Sequence, residues 1–311
     1  MSRAGVRAIS NTSWCPATSV TTSCSPSSST RCRVLISFRE LLEERRTARA
    51  AAGAFTCYDV TTALGVVRAA EARGVPVILL VSEASFRAPD ARLLVPALVS
   101  VAEAARVPAC VQIDHVSDPE LVRAALVSGA GAVLADGSRL PVDENAALVR
   151  DAVVAAPPDF GVEAELGHIE GGEDVAAAVA AGALTDPDEA AEFAVRTGAG
   201  CLAISIGNVH GTYVAPPQLD WQRLEQIRES VGDLPLSLHG ASGLEGEDLR
   251  RSIALGICKV NVNTELRRRY LDELSARVPD VLPGLRLLDL QDALVGAVAD
   301  AAGEILDVLG A

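Results

Sequence analysis

Residues 108–136 read PACVQIDHVSDPELVRAALVSGAGAVLAD. An apolar, β-prone run, 108–114, ends abruptly in the polar pair Asp114 and His115. Asp118 and Pro119 then supply an N-cap and a first-turn proline, the signature of a helix start. The helical stretch 119–128 is closed by Gly129, and a second apolar run, 131–136, ends in Asp136. Strand, helix, strand with polar residues at each strand end is a βα unit and implies a parallel pairing.

The same unit recurs on both sides. Apolar runs fall at 52–57, 76–82, 108–114, 131–136, 161–166, 201–207, 234–239 and 257–263. Helical patterns at 90–106, 119–128, 143–155 and 187–197 lie between them, with Gly74, Gly129, Gly198 and Gly256 as helix stops. Eight such units in about 250 residues predict an α/β fold of the (β/α)8 TIM-barrel type. An open doubly wound sheet would place a glycine-rich phosphate fingerprint after the first strand; the residues there are Cys57, Tyr58, Asp59 and Val60. A further helical segment, 285–309, is expected to cap the barrel or mediate assembly.

Composition agrees. Of 311 residues 49% are hydrophobic and 3% aromatic, so the core is built from Ala, Val, Leu and Ile. A net charge of −14 argues against nucleic acid and anionic membrane surfaces as partners, because both require a basic face. The seven cysteines show no metal-finger spacing; Cys57, Cys110, Cys201 and Cys258 sit in apolar runs and read as buried thiols of a reducing, cytoplasmic compartment. No stretch reads as a membrane span. Residues 1–33 are rich in Ser and Thr, and no acidic residue precedes Glu40. They are expected to be a disordered tail or an over-extended start, the alternative being a transit peptide. The barrel domain is then 34–311.

In a parallel barrel the chemistry gathers at the strand C-terminal ends. Those ends carry Thr56, Ser82, Glu83, Asp114, His115, Asp136, Glu163, Glu165, His210, His239, Asn261 and Asn263. Each histidine alone reads as a hydrogen-bonded rim residue. Three of the four, His115, His210 and His239, follow the third, sixth and seventh runs, 95 and 29 residues apart. A barrel brings such positions to one mouth, where three imidazoles with an open fourth position suit a catalytic zinc or another divalent ion. His168 reads as solvated or as a neighbour of the site. Strand alternation predicts that one of Asp114 and His115 points into the mouth while the other stays at the turn. Glu163 and Glu165 share a face. The loop 167–174, glycine-rich and acidic, can carry a base over a substrate or be an ordinary surface loop. The small residues Gly240, Ser242 and Gly243, with Asn261, Asn263 and Thr264, form a candidate anion cradle after the last two strands.

With these residues assembled, the chain from about residue 37 to about residue 270 resembles the class II fructose-bisphosphate and tagatose-bisphosphate aldolase family. The matching segments are Gly53-Ala54-Phe55, Pro76-Val77-Ile78, Asp114-His115, Asp136-Gly137-Ser138 with Glu144-Asn145, Glu163-Ala164-Glu165-Leu166-Gly167, His210-Gly211 with Tyr213, the segment 238–243, and Lys259-Val260-Asn261. The resemblance implies a lyase of carbohydrate metabolism, of the glycolytic type, that works as a homodimer or homotetramer. It implies His115, His210 and His239 as ligands of a catalytic metal, usually zinc, and Asp136 and Glu165 as a second metal position. Asp114 would handle the hydroxyl proton and Glu173 the proton on the dihydroxyacetone-phosphate carbon. Gly211, Gly240, Ser242 and Asn261 would hold the phosphate, helped by Ser82, Asn263 and Thr264. Gly211 and Gly240 would lie near a monovalent cation, Na+ or K+. The family's Asn, Lys and Asp at three substrate positions are Thr56, Val214 and Asn263 here, and a loop glycine is Glu170.

Two rivals share the barrel. Lys259, the single lysine, could form a Schiff base, although it lies about 6–7 Å deeper than Asn261 at strand rise. A non-catalytic barrel that binds a sugar phosphate is the other.

Overall fold

The computed structural model of the chain describes residues 36–169, 183–210 and 218–310, together with the backbone of Ala178–Val179 and Thr212–Tyr213. Its strands are β1 (Ala52–Thr56), β2 (Val77–Ser82), β3 (Ala109–Val116), β4 (Ala132–Ala135), β5 (Gly161–Leu166), β6 (Ala178–Val179), β7 (Cys201–Ile204), β8 (Thr212–Tyr213), β9 (Leu236–Leu238) and β10 (Ile257–Val262). Eight of them close a parallel barrel in the order β1-β2-β3-β4-β5-β7-β9-β10, and β6 pairs with β8 outside it. Each barrel strand corresponds to one of the eight apolar runs, so the (β/α)8 expectation holds.

The helices are α1 (Phe38–Thr47), α2 (Val60–Arg73), α3 (Glu83–Arg87), α4 (Ala91–Ala104), α5 (Pro119–Ala125), α6 (Val142–Ala155), α7 (Pro187–Thr197), α8 (Trp221–Val231), α9 (Gly246–Ala254), α10 (Thr264–Val281) and α11 (Leu287–Val308). Helix α7 shows why the punctuation works. The Asp186 side chain accepts from the amides of Asp188 and Glu189, Pro187 heads the helix, and Gly198 ends it in the left-handed conformation. Buried Ala190 and Phe193 face the barrel.

Helix α1 was not among the sequence-predicted elements. Its signal is a capping box in which Ser37 and Glu40 exchange hydrogen bonds. Phe38, Leu41 and Leu42 from α1 join Ala52, Ala54, Ile78, Leu80, Cys110, Ala132, Cys201 and Cys258 in one buried cluster. This cluster fills the barrel interior from the strand N-terminal end, leaving polar side chains for the opposite mouth. Cys57, Cys110, Cys201 and Cys258 are buried and free, as expected. Helix α11 packs on α2 and α10, so the C-terminal segment sheathes the barrel wall. Among the described residues no helix is long and apolar enough to cross a membrane. The predicted tail, Glu170, Glu173, Gly211 and Val214 lie outside the described residues.

Candidate active site

The mouth is organised by an irregularity in β3. The register with β4 shifts between Ile113 and Val116, and His115 takes a left-handed φ of 52°. This bulge cancels the alternation that would separate consecutive side chains. Both residues therefore face the interior, correcting the sequence expectation. The Asp114 carboxylate meets Asn261 of β10, and the His115 ring meets His239. A β-bulge of one residue is what lets adjacent positions serve two roles.

Three rings converge. The centroids of His115 and His210 are 4.8 Å apart, as are those of His115 and His239. One nitrogen from each ring lies within 4.8 Å of the others, and His115, Asp136 and Glu165 form a second group of the same tightness. His210 is presented by a loop that Asn208 ties down: its amide donates to the carbonyls of Ile204 and His239, and its oxygen accepts from the Ile206 amide.

Carboxylates set the rings. Glu163 Oε1 lies 3.0 Å from His239 Nε2, and Asp136 Oδ2 lies 2.8 Å from His115 Nδ1. Each carboxylate accepts, so the opposite nitrogens, His239 Nδ1 and His115 Nε2, face each other at 3.0 Å. Burial pushes the His239 imidazole down to about 3, against the pull of Glu163. Burial also works against charge on His115, but Asp114, Asp136 and Glu165 together raise it well above the usual imidazole value. Glu165 Oε2 is buried, 3.6 Å from both His115 Nδ1 and His239 Nδ1, and accepts no hydrogen bond among the described residues. Burial and the nearby Asp136 raise its carboxyl well above the ordinary range. Two nitrogens separated by 3.0 Å match the roughly 3.3 Å edge of a tetrahedral zinc site with bonds of about 2.0–2.1 Å. The donor set fits a divalent cation.

Glu163 and Glu165 do share the inward face of β5. Glu163 also takes Lys259 Nζ at 2.9 Å and Gln112 Nε2 at 2.6 Å. Burial opposes its charge, yet Lys259 and His239 hold the carboxyl well below its usual range. Burial likewise opposes charge on Lys259, and Glu163 and Asp114 outweigh it, so the amine stays protonated. A buried, protonated, hydrogen-bonded amine has no lone pair for an imine, which removes the basis of the Schiff-base reading.

The remaining predicted residues divide. Gly240 has φ 61°, and a Cβ there would overlap the Val209 carbonyl, so the backbones of the two loops touch. Ser242 Oγ donates to Glu265 Oε2 at 2.7 Å and the Gly243 amide to Glu265 Oε1 at 3.2 Å, so the cradle's donors converge on a carboxylate of α10. Thr264 opens that helix. Asn263 Oδ1 accepts from the Tyr58 hydroxyl at 3.1 Å. Asn261 is held between Lys259 and Asp114. Ser82 caps α3 and, with His115, Asp136, Glu165, His168 and His210, lines a cavity of about 680 Å³ at the mouth. A larger cavity of about 910 Å³ lies at the other end, beside α1 and Pro235, away from the histidines. Sequence reasoning missed Gln112 and Asn208. For Gln112 the signal is a polar residue inside an apolar run, two positions before Asp114.

The fold and the residues have relatives. The family described as "Fructose-bisphosphate aldolase class-II" matches residues 36–311. The YdjI aldolase from Escherichia coli K12 is 31% identical over 89% of this chain and 97% of its own, with a TM-score of 0.78. A putative fructose-1,6-bisphosphate aldolase from Coccidioides immitis is 34% identical over 87% and 94%, with a TM-score of 0.79. The fructose-bisphosphate aldolase of Campylobacter jejuni, 19% identical over 88% and 95% with a TM-score of 0.72, shares the fold. With the barrel, the histidine cluster and a family match that spans the described residues, the chain is a lyase and belongs to the class II fructose-bisphosphate aldolase family.

Proposed function

We propose that the protein is a divalent-metal-dependent aldolase that reversibly cleaves a ketose phosphate, releasing dihydroxyacetone phosphate and an aldehyde. The observation that supports this most is the trio His115, His210 and His239 beside a buried Asp114. The trio would hold zinc or a similar ion, with His115, Asp136 and Glu165 as an alternative position. Bound there, the cation would supply Lewis-acid stabilisation of charge developing on substrate oxygens.

The chain's own groups do the proton work. Asp114, at the base of the mouth, takes the hydroxyl proton as the carbon–carbon bond breaks and returns it in condensation. Glu173, which follows β5 in the sequence, exchanges the proton on the donor carbon. The N–H and hydroxyl groups of Gly211, Gly240, Ser242 and Thr264, with Ser82, Asn261 and Asn263, hold phosphate and hydroxyls. A monovalent cation, Na+ or K+, beside Gly211 and Gly240 would offset the acidic surroundings. A cytoplasmic homodimer or homotetramer is the expected form. The test is a screen of aldehydes against dihydroxyacetone phosphate with zinc-loaded protein. Aldol formation with at least one aldehyde supports the reading; phosphate-ester binding without turnover on any of them overturns it.

A further inference from the structure

Asn261 stands between two groups of opposite hydrogen-bonding character. Lys259 Nζ, an obligate donor, lies 2.6 Å from Asn261 Oδ1. The Asp114 carboxylate accepts from Asn261 Nδ2 at 3.0 and 3.3 Å. An ammonium has no acceptor and an ionised carboxylate no donor, so the Asn261 amide has one orientation that satisfies both. Were the Lys259 charge absent, the amide could turn its oxygen toward Asp114 and repel it.

The lysine is itself fixed. It is fully buried on β10, two residues below Asn261 on the same face, and Glu163 across the barrel anchors it at 2.9 Å. Glu163 in turn is braced by Gln112 of β3. The chain has one lysine, and it occupies this junction rather than a solvated surface.

We propose that Lys259 is a positioning residue for the Asp114 carboxylate, acting through Asn261. The proposal rests on the role given to Asp114 above. Asn261 then holds the proton-transfer carboxylate in one orientation through its Nδ2.

The experiment is a double-mutant cycle on zinc-loaded full-chain protein, with kcat, KM, donor-carbon proton exchange and chelator-competition zinc affinity as readouts. Lys259→Met should lower kcat for cleavage about 10–100-fold, with KM and zinc affinity little changed and exchange largely spared. Asn261→Ala should lower kcat to a similar extent and also raise KM, because Asn261 is a substrate contact as well. The Lys259→Met/Asn261→Ala protein should be no slower than Asn261→Ala alone, within about 2–3-fold, because both changes remove one linkage. Where Lys259→Met fails to fold, Glu163→Gln/Lys259→Met replaces it, removing both buried charges while Gln can still accept from His239. Losses that multiply, or a loss confined to zinc affinity, would overturn the proposal. Asp114→Ala with ordinary turnover would overturn the assignment of Asp114 itself, a result separable from the cycle.

Discussion

Glu163 Oε1 and His239 Nε2 lie 3.0 Å apart, both side chains fully enclosed, although 76 residues separate them in the chain. The contact fixes which His239 nitrogen is free to face the mouth. The same carboxylate neutralises Lys259, so one side chain couples the histidine cluster to the buried ion pair.

Removing it should be costly. Glu163→Ala leaves the Lys259 charge buried and unpaired and is expected to lose about 3–5 kcal/mol of stability. Glu163→Gln/Lys259→Met should recover most of that, since both charges go. Because the folded protein holds Glu163 below the usual carboxylate range, the unfolded chain takes up its proton first as pH falls. The stabilisation is therefore complete above about pH 4.3 and is lost as pH drops toward the folded value. Urea unfolding from pH 7 down to about pH 3.5 checks this, and the charge-free variant should show the shallower acid loss.

Activity should depend on a divalent metal. A chelator should abolish aldol cleavage and added zinc or cobalt should restore it, while borohydride with substrate leaves activity intact. The raised His115 makes the proton a stronger competitor at low pH, so zinc affinity should rise with pH through neutrality. Chelator-resistant turnover that borohydride destroys would sink the metal reading.

The two proton carriers should separate. Glu173→Ala is expected to keep zinc and substrate binding but lose hydrogen exchange at the donor carbon. Asp114→Ala should spare that exchange and lose at least about 100-fold in cleavage, the scale of a general acid–base contribution. Equal loss of both activities in both variants, with zinc retained, contradicts the division.

Fructose 1,6-bisphosphate should not be the best substrate. Where the family resemblance implies a lysine, Val214 would forgo a charge-assisted phosphate contact of about 1.5–3 kcal/mol, roughly 10- to 150-fold in affinity. Asn263 accepts from Tyr58 through Oδ1, and an amide in place of aspartate turns a pure acceptor into a group that also donates, which changes the hydroxyl or carbonyl it can meet. Comparing kcat/KM for fructose 1,6-bisphosphate, tagatose 1,6-bisphosphate and other aldol products settles it. An ordinary aldolase rate that is highest on fructose 1,6-bisphosphate refutes the prediction.

Much of this architecture is local information. Apolar runs with polar ends, Asp-Pro helix starts and glycine stops depend on residues within a few positions of each other. They specify eight βα units and therefore which side chains reach the rim, including His115, His210, His239 and Asp136. Helix α1 was equally local, through Ser37 and Glu40, but lay beside a stretch read as tail. The pairings across the barrel are not local. Whether Asp114 and His115 face the same way depends on a register shift against β4, which no window around β3 contains. That Glu163 meets His239, and that Lys259 meets both Glu163 and Asn261, follows from strand stagger and closure. Closure brings the inward faces of β3, β5, β9 and β10 to one axis, where low dielectric and full burial force every charge to find a partner.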